Sequence, residues 1–176
     1  MRVAIDIGHA RGTGARGNGL EEHAVVEAIG SNLRSMLRRA GIEAELIDYP
    51  DMSNAGDLSA TVTAINNGGY DMSVSLHCDC SDSEAAHGAH VCYCSSAGAR
   101  IGAAIMYYLK PIMPGRAESI VRRNNLMVLT RTNCPAVLVE CGFISHPGDA
   151  KILSLAPGKI AQAITQGIVS YQSTLS

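Results

Sequence analysis

No apolar run in the 176 residues approaches the roughly 18 needed for a membrane-spanning helix, so insertion into a bilayer is not expected. Charge of one sign is lacking too. The formal net charge is −2 with a pI near 6.3, which removes the usual ground for expecting nucleic acid or another polyanion as a partner. The front of the chain has no basic segment leading into an apolar stretch, because the first strand is expected to begin at Arg2. Without such a leader, the expected location is the cytoplasm. Three catalytic signatures are also missing: the HExxH helix of zinc proteases, the GxSxG nucleophile elbow and the P-loop. The stretch from Gly8 to Gly19 is rich in glycine but has no P-loop lysine. There is no internal repeat, low-complexity stretch or linker, so residues 1–176 are expected to form one domain.

What is present reads as a folded chain. Hydrophobic residues make up 47% and charged residues 17%, enough apolar material for a sizeable core. Six cysteines stand at Cys78, Cys80, Cys92, Cys94, Cys134 and Cys141. Their C-x-C spacing is a poor match to zinc-thiolate knots, and a chain of this size needs no disulfide framework. They are read as small hydrophobes on strands in a reducing compartment.

Strand and helix patterns alternate along the chain. Short apolar runs at Val3–Ile7, Glu43–Ile47, Asp71–Leu76, Ala89–Tyr93 and Ala136–Val139 are expected strands. Helical spacing appears from Glu21 to Ala40, through Val25, Ile29, Leu33 and Leu37, with Gly41 as the stop. Further helices are expected at 57–66, 97–109 and 157–173, and 111–125 is expected to be a loop. This order predicts an α/β fold, a mainly parallel twisted sheet with helices on both faces.

Ligands bind at the carboxyl ends of strands in such sheets. Here His9 follows the first strand, His77 follows the strand Asp71–Leu76, and Glu140 closes the strand Ala136–Val139. Glu22 opens the first long helix after the glycine-rich loop. A catalytic zinc site takes three protein ligands and keeps one position open, and a second carboxylate can move protons. His9, Glu22 and His77 fit the ligand set, and Glu140 fits the base. Each residue also has a plainer explanation. His9 can be turn chemistry, Glu22 a first-turn acid facing the helix dipole, and His77 a core histidine. Glu140 is harder to dismiss, because it lies between Ala-Val-Leu-Val and Cys-Gly-Phe, where a buried charge needs a purpose. His23 and Glu27 are expected to make an i,i+4 contact, His90 could face the site, and His146 looks like an exposed turn.

Ordered blocks along nearly the whole chain resemble the zinc-dependent N-acetylmuramoyl-L-alanine amidases of the amidase_3 type, found in phage endolysins and bacterial autolysins. The run Val3-Ala4-Ile5-Asp6-Ile7-Gly8-His9 is similar to the family's strand ending in D-P-G-H. Glu22 with Ala28-Ile29 and Leu33 resembles its first helix, and Asp71 to Asp79 resembles D-x-x-x-S-I-H-x-N. Gly88 to Tyr93 is similar to G-x-E-V-Y-Y, and Pro135 to Ser145 to P-A-V-L-V-E-x-G-F-x-S/T. The resemblance implies one zinc per chain on His9, Glu22 and His77, and Glu140 as catalytic acid-base. It also implies peptidoglycan as substrate, cut at the amide between N-acetylmuramic acid and L-alanine. A chain held in the cytoplasm until release onto the wall would suit an endolysin. Ile7, Asp79 and His90 depart from the usual proline, asparagine and glutamate. Arg116, Arg122 and Arg123 could pair with stem-peptide carboxylates or be solvated loop charges. Open alternatives are a zinc amidohydrolase or carboxypeptidase acting on another amide, a silent wall-binding module, and a metal-binding protein using Cys78, Cys80, Cys92 and Cys94.

Overall fold

Every residue from Val3 to Ile7 is buried along β1 (Arg2–Ile7), so this strand has packed neighbours on both faces and must lie inside a sheet. A computed structural model, which describes residues 1–175, places it there. A two-strand ribbon, β2 (Arg16–Gly17) and β3 (Leu20–Glu21), follows in the glycine-rich loop. Next come α1 (Glu22–Arg39), β4 (Glu43–Ile47) and α2 (Asn54–Asn67). The chain continues through β5 (Met72–Asp79), β6 (His90–Tyr93), α3 (Ser96–Leu109), β7 (Ile120–Arg122) and α4 (Met127–Thr130). It ends with β8 (Ala136–Phe143), α5 (Pro147–Leu155) and α6 (Pro157–Ser173).

The main sheet has six strands in the order β4-β1-β5-β8-β6-β7. The first four are parallel, whereas β6 runs antiparallel to β8 and takes β7 with it as a parallel neighbour. Helices cover both faces. Helices α1 and α3 both pack on α6 and, with Val3, Ile5, Ile7, Val74 and Val139, form the larger core. Helices α2 and α4 cover the opposite face, where Val62, Val128 and Leu138 form one cluster and Ala4, Ile47 and Ile65 another.

Local chemistry sets the ends of these elements. Helix α1 stops at Ala40, and Gly41 follows at φ 77°, a conformation that costs glycine little. Ser53 and Ser95 cap α2 and α3, accepting from the N–H of Gly56 at 3.2 Å and of Gly98 at 3.0 Å. No helix among the described residues is long and apolar enough to cross a membrane.

Several expectations need correction. Strands β5 and β8 run on to Asp79 and Phe143, so His77 and Glu140 lie within strands and not beyond them. The segment 111–125 contains β7, whose three residues are too few for periodicity to register. Helices α4 and α5 were unanticipated for the same reason of length, and α2 begins three residues before the expected 57. Cys78, Cys92 and Cys141 are buried as expected of small hydrophobes, but Cys80 is exposed, and all six thiols are free.

Candidate active site

The glycine-rich loop brings β1 and α1 together over the end of β5. Gly8 donates its N–H to the Leu76 carbonyl at 3.0 Å. A side-chain carbon at this position would lie 2.5 Å from that oxygen and from the His77 ring, so only glycine permits the approach. His9 then turns through φ 63°, which swings its ring back over the sheet edge.

Glu22 is the first residue of α1, where the plainer reading is an acid that complements the helix dipole. Its side chain is instead buried and turned toward the sheet. One carboxylate oxygen accepts from the Cys78 N–H at 2.9 Å and lies 3.1 Å from His77 Nδ1. The other accepts from the Ala15 N–H at 2.7 Å and lies 3.6 Å from His9 Nε2. Burial alone would raise the pKa of Glu22. The hydrogen bond and charge of His77, together with the two backbone donors, outweigh burial and hold it below the ordinary value. The three ligand-competent atoms of His9, Glu22 and His77 lie within 4.8 Å of one another.

Each imidazole is oriented from behind. His9 Nδ1 pairs with Asn54 Oδ1 at 3.0 Å, which leaves Nε2 toward Glu22. His77 Nε2 lies 3.1 Å from Ser75 Oγ, and the Ser75 hydroxyl donates to Asp6. Thr61 donates to the other Asp6 oxygen at 3.2 Å. Asp6, Thr61 and Ser75 are all buried. This Asp6-Ser75 support and the Asn54 contact lay outside the sequence reading. The period-2 spacing of Ser75 and His77, which puts both on one strand face, was the available signal. For His77, burial acts against protonation, but the Glu22 hydrogen bond and the charges of Glu140, Glu22 and Asp6 prevail and raise its pKa to about 9.

Glu140 stands beside His77 in the β5–β8 register and beside His90 in the β8–β6 register, so the three form a row across the sheet. Burial pushes the Glu140 carboxyl up to about 7; Asp79 and Glu22 push the same way, and His77 and Arg116 oppose it. His90 is pushed down to about 4 by burial and by Arg116 and Arg123. A cavity of about 500 Å³ lies over His77 and Glu140, lined also by His9, Asp6 and Asp57.

The remaining histidines have partners of their own. His23 pairs with Asp48 at 3.0 Å and not with Glu27, because it faces inward from α1. His146 is half-buried and caps α5 by accepting from the Asp149 N–H at 3.2 Å. Asp149 in turn accepts from the N–H groups of Gly88 and Phe143 at 2.7 and 2.8 Å, tying the loop after β5 to the end of β8. His87 stacks on His146 with ring centroids 4.8 Å apart. Burial raises the Cys78 and Cys141 thiols well above their usual range, so they are inert neighbours of the site.

The six-stranded α/β sheet that carries this candidate cluster has the fold of amidase catalytic domains. The chain belongs to the N-acetylmuramoyl-L-alanine amidase family Amidase_3, whose family model matches residues 3–170. It is 29% identical to the N-acetylmuramoyl-L-alanine amidase AmiA of Escherichia coli, over 96% of this chain and 75% of AmiA. It is also 29% identical to the amidase LytC of Bacillus subtilis, over 96% of this chain and 35% of LytC. Among solved structures, the catalytic domain of the amidase CwlV from Bacillus (Paenibacillus) polymyxa var. colistinus superposes with a TM-score of 0.85 at 27% identity, over 98% of both chains. The CwlD amidase of Clostridioides difficile, solved in complex with the GerS lipoprotein, gives 0.86 at 25% identity, again over 98% of both chains.

Proposed function

We propose that the chain cleaves the amide between N-acetylmuramic acid and L-alanine with one zinc ion held by His9, Glu22 and His77, and with Glu140 as the acid-base. The convergence of three ligand atoms within 4.8 Å, beside a buried carboxyl in register with His77, carries this reading. The donor set suits zinc, which favours imidazole nitrogen and carboxylate oxygen and, in catalytic sites, takes three protein ligands. Glu22 is held ionised, and each imidazole keeps one nitrogen toward the cluster, as ligation requires. When bound, zinc supplies Lewis acidity that polarises the scissile carbonyl and makes water acidic enough to attack near neutral pH.

The chain's own residues supply the proton movements. The Glu140 carboxylate takes a proton from the attacking water as its oxygen bonds to the carbonyl carbon. It then returns that proton to the alanine nitrogen as the C–N bond breaks, and the second water proton passes from the new lactyl carboxyl to the amine, leaving a carboxylate and an ammonium group. A carboxyl raised to about 7 serves both halves of this exchange near neutral pH. Asn54, and Ser75 backed by Asp6, keep the two rings from rotating.

The test is zinc content measured together with hydrolysis of purified cell wall, before chelation, after it, and after zinc is restored. About one zinc per chain, with activity lost and regained alongside it and new N-terminal alanine on the released peptides, is the expected result. Full hydrolysis by metal-free protein would overturn the mechanism, and cleavage elsewhere in the wall would overturn the substrate bond.

A further inference from the structure

Of the five buried side-chain polar atoms that lack a hydrogen-bond partner, three belong to residues of one cleft: Glu140 Oε2, His90 Nδ1 and Arg116 Nε. This cleft, of about 380 Å³, lies next to the larger cavity and shares Glu140 with it. A substrate whose scissile bond sits at Glu140 therefore has room on two sides. The two sides differ in charge. The larger cavity carries Asp6 and Asp57 and no lysine or arginine. The smaller cleft carries Arg116 and Arg123.

Those two guanidinium groups are not spent on the fold. Among the described residues the arginines held in ion pairs are Arg2, Arg11 and Arg16, which leaves Arg116 and Arg123 without one. Arg116 is steadied by the Phe143 ring, whose centroid lies 5.7 Å away, a contact that orients the cation without neutralising it. Asp79 shares the cleft, and one arginine offsets its charge. Glu140 lines the cleft as well, so the two arginines match the cleft's carboxyl groups in number, yet neither is closed into an ion pair with them.

We propose that this cleft is the subsite for a free carboxylate of the stem peptide, on the leaving-nitrogen side of the scissile amide. The uncharged glycan side then occupies the larger cavity. Guanidinium forks recognise carboxylates by paired, charge-assisted hydrogen bonds, and the orphaned Arg116 Nε–H is a donor that such a ligand satisfies. The assignment rests on the amidase reading above and adds a direction of substrate binding to it.

The experiment compares three soluble muropeptides: one with all stem carboxylates free, one with the second-residue carboxylate converted to carboxamide, and one with the C-terminal carboxylate so converted. The zinc-loaded protein should cleave at least one carboxamide roughly 10-fold less efficiently than the free acid, chiefly through KM. That result also identifies which carboxylate is read. Arg123→Gln, an exposed position whose loss leaves the core intact, should erase the preference, chiefly by raising KM for the free acid. Arg123→Lys should restore part of it. Equal cleavage of all three substrates by wild-type protein, or a preference that survives in the Arg116→Gln/Arg123→Gln double variant, overturns the subsite. Calorimetry with the product peptide, free or amidated, reads the same preference without turnover. Absent hydrolysis with intact carboxylate-selective binding therefore refutes the amidase reading alone, and unselective binding refutes the subsite alone.

Discussion

His77 and Glu140 occupy matched positions on the parallel strands β5 and β8, so the hydrogen-bond ladder of the sheet sets their spacing. An imidazole proposed to hold a metal and a carboxyl proposed to transfer protons are thus both carried on strands of the sheet and not on loops. Burial holds that carboxyl up at about 7, and its charge helps hold the neighbouring imidazole up at about 9.

Glu140→Gln separates metal binding from proton transfer. The variant should keep about one zinc per chain, yet lose roughly 10²- to 10⁴-fold in kcat, the range typical of general acid-base catalysis. Metal analysis and single-turnover assays on the same preparation check it. Undiminished kcat would remove Glu140 from the mechanism.

The support behind His77 should be visible in affinity. Ser75→Ala removes the hydroxyl between His77 and Asp6, and Asp6→Asn weakens the acceptor behind it. Each should weaken zinc binding by roughly 10- to 100-fold, as loss of outer-shell partners usually does. Competition against a chromophoric chelator measures this, and wild-type affinity in both variants would show that the ring needs no such anchor.

Gly8→Ala tests the close approach of β1 to β5. The added carbon meets the His77 ring and the Leu76 carbonyl at 2.5 Å, so strand and ring must move apart. Stability should fall by about 1–3 kcal/mol, as overpacking does, and zinc affinity should fall with it. Thermal melts with and without zinc give both quantities. A variant that melts and binds like the wild type would mean the loop yields freely at this point.

Asp57 supplies a pH test in the metal-free protein. Burial, then the charges of Asp6 and Asp48, raise its carboxyl to about 6 from 3.8. A folded-state pKa above the unfolded one means that ionisation opposes folding: the penalty is absent below about 4 and complete above about 6. Asp57→Asn should therefore raise the melting temperature by a few degrees at pH 7.5. The gain should shrink through the window from 6 to 4 and vanish below it. A gain independent of pH would assign the effect to packing instead of charge.

The parts of the molecule legible beforehand were those with long or repeated patterns. Val25, Ile29, Leu33 and Leu37 on α1 and the unbroken apolar runs of β1 and β8 declared themselves through periodicity and burial. His9, Glu22, His77 and Glu140 could be placed because strand ends converge on one edge. Three-residue β7 and four-residue α4 are too short for any period to show. Their form depends on what they pack against: β7 on β6, and α4 on α2 and β8. The direction of β6 was equally hidden, since a buried four-residue strand reads the same parallel or antiparallel. Asp6, Ser75 and Asn54 escaped notice because each is an ordinary residue until register or a loop sets it behind a histidine.

The reversal of chain direction at β6 has a further meaning for how such a domain can vary. The four parallel strands and α1 carry the assigned metal ligands and the acid, whereas His90, Arg116 and Arg123 belong to the antiparallel pair and its connections. Within the sheet, the two sets meet at the border between β8 and β6. Insertions or deletions at the exposed Ala117 and Glu118 would therefore reshape one wall of the groove without disturbing the buried Met113 or the strands behind it, so reactivity and selectivity can drift independently within a single fold.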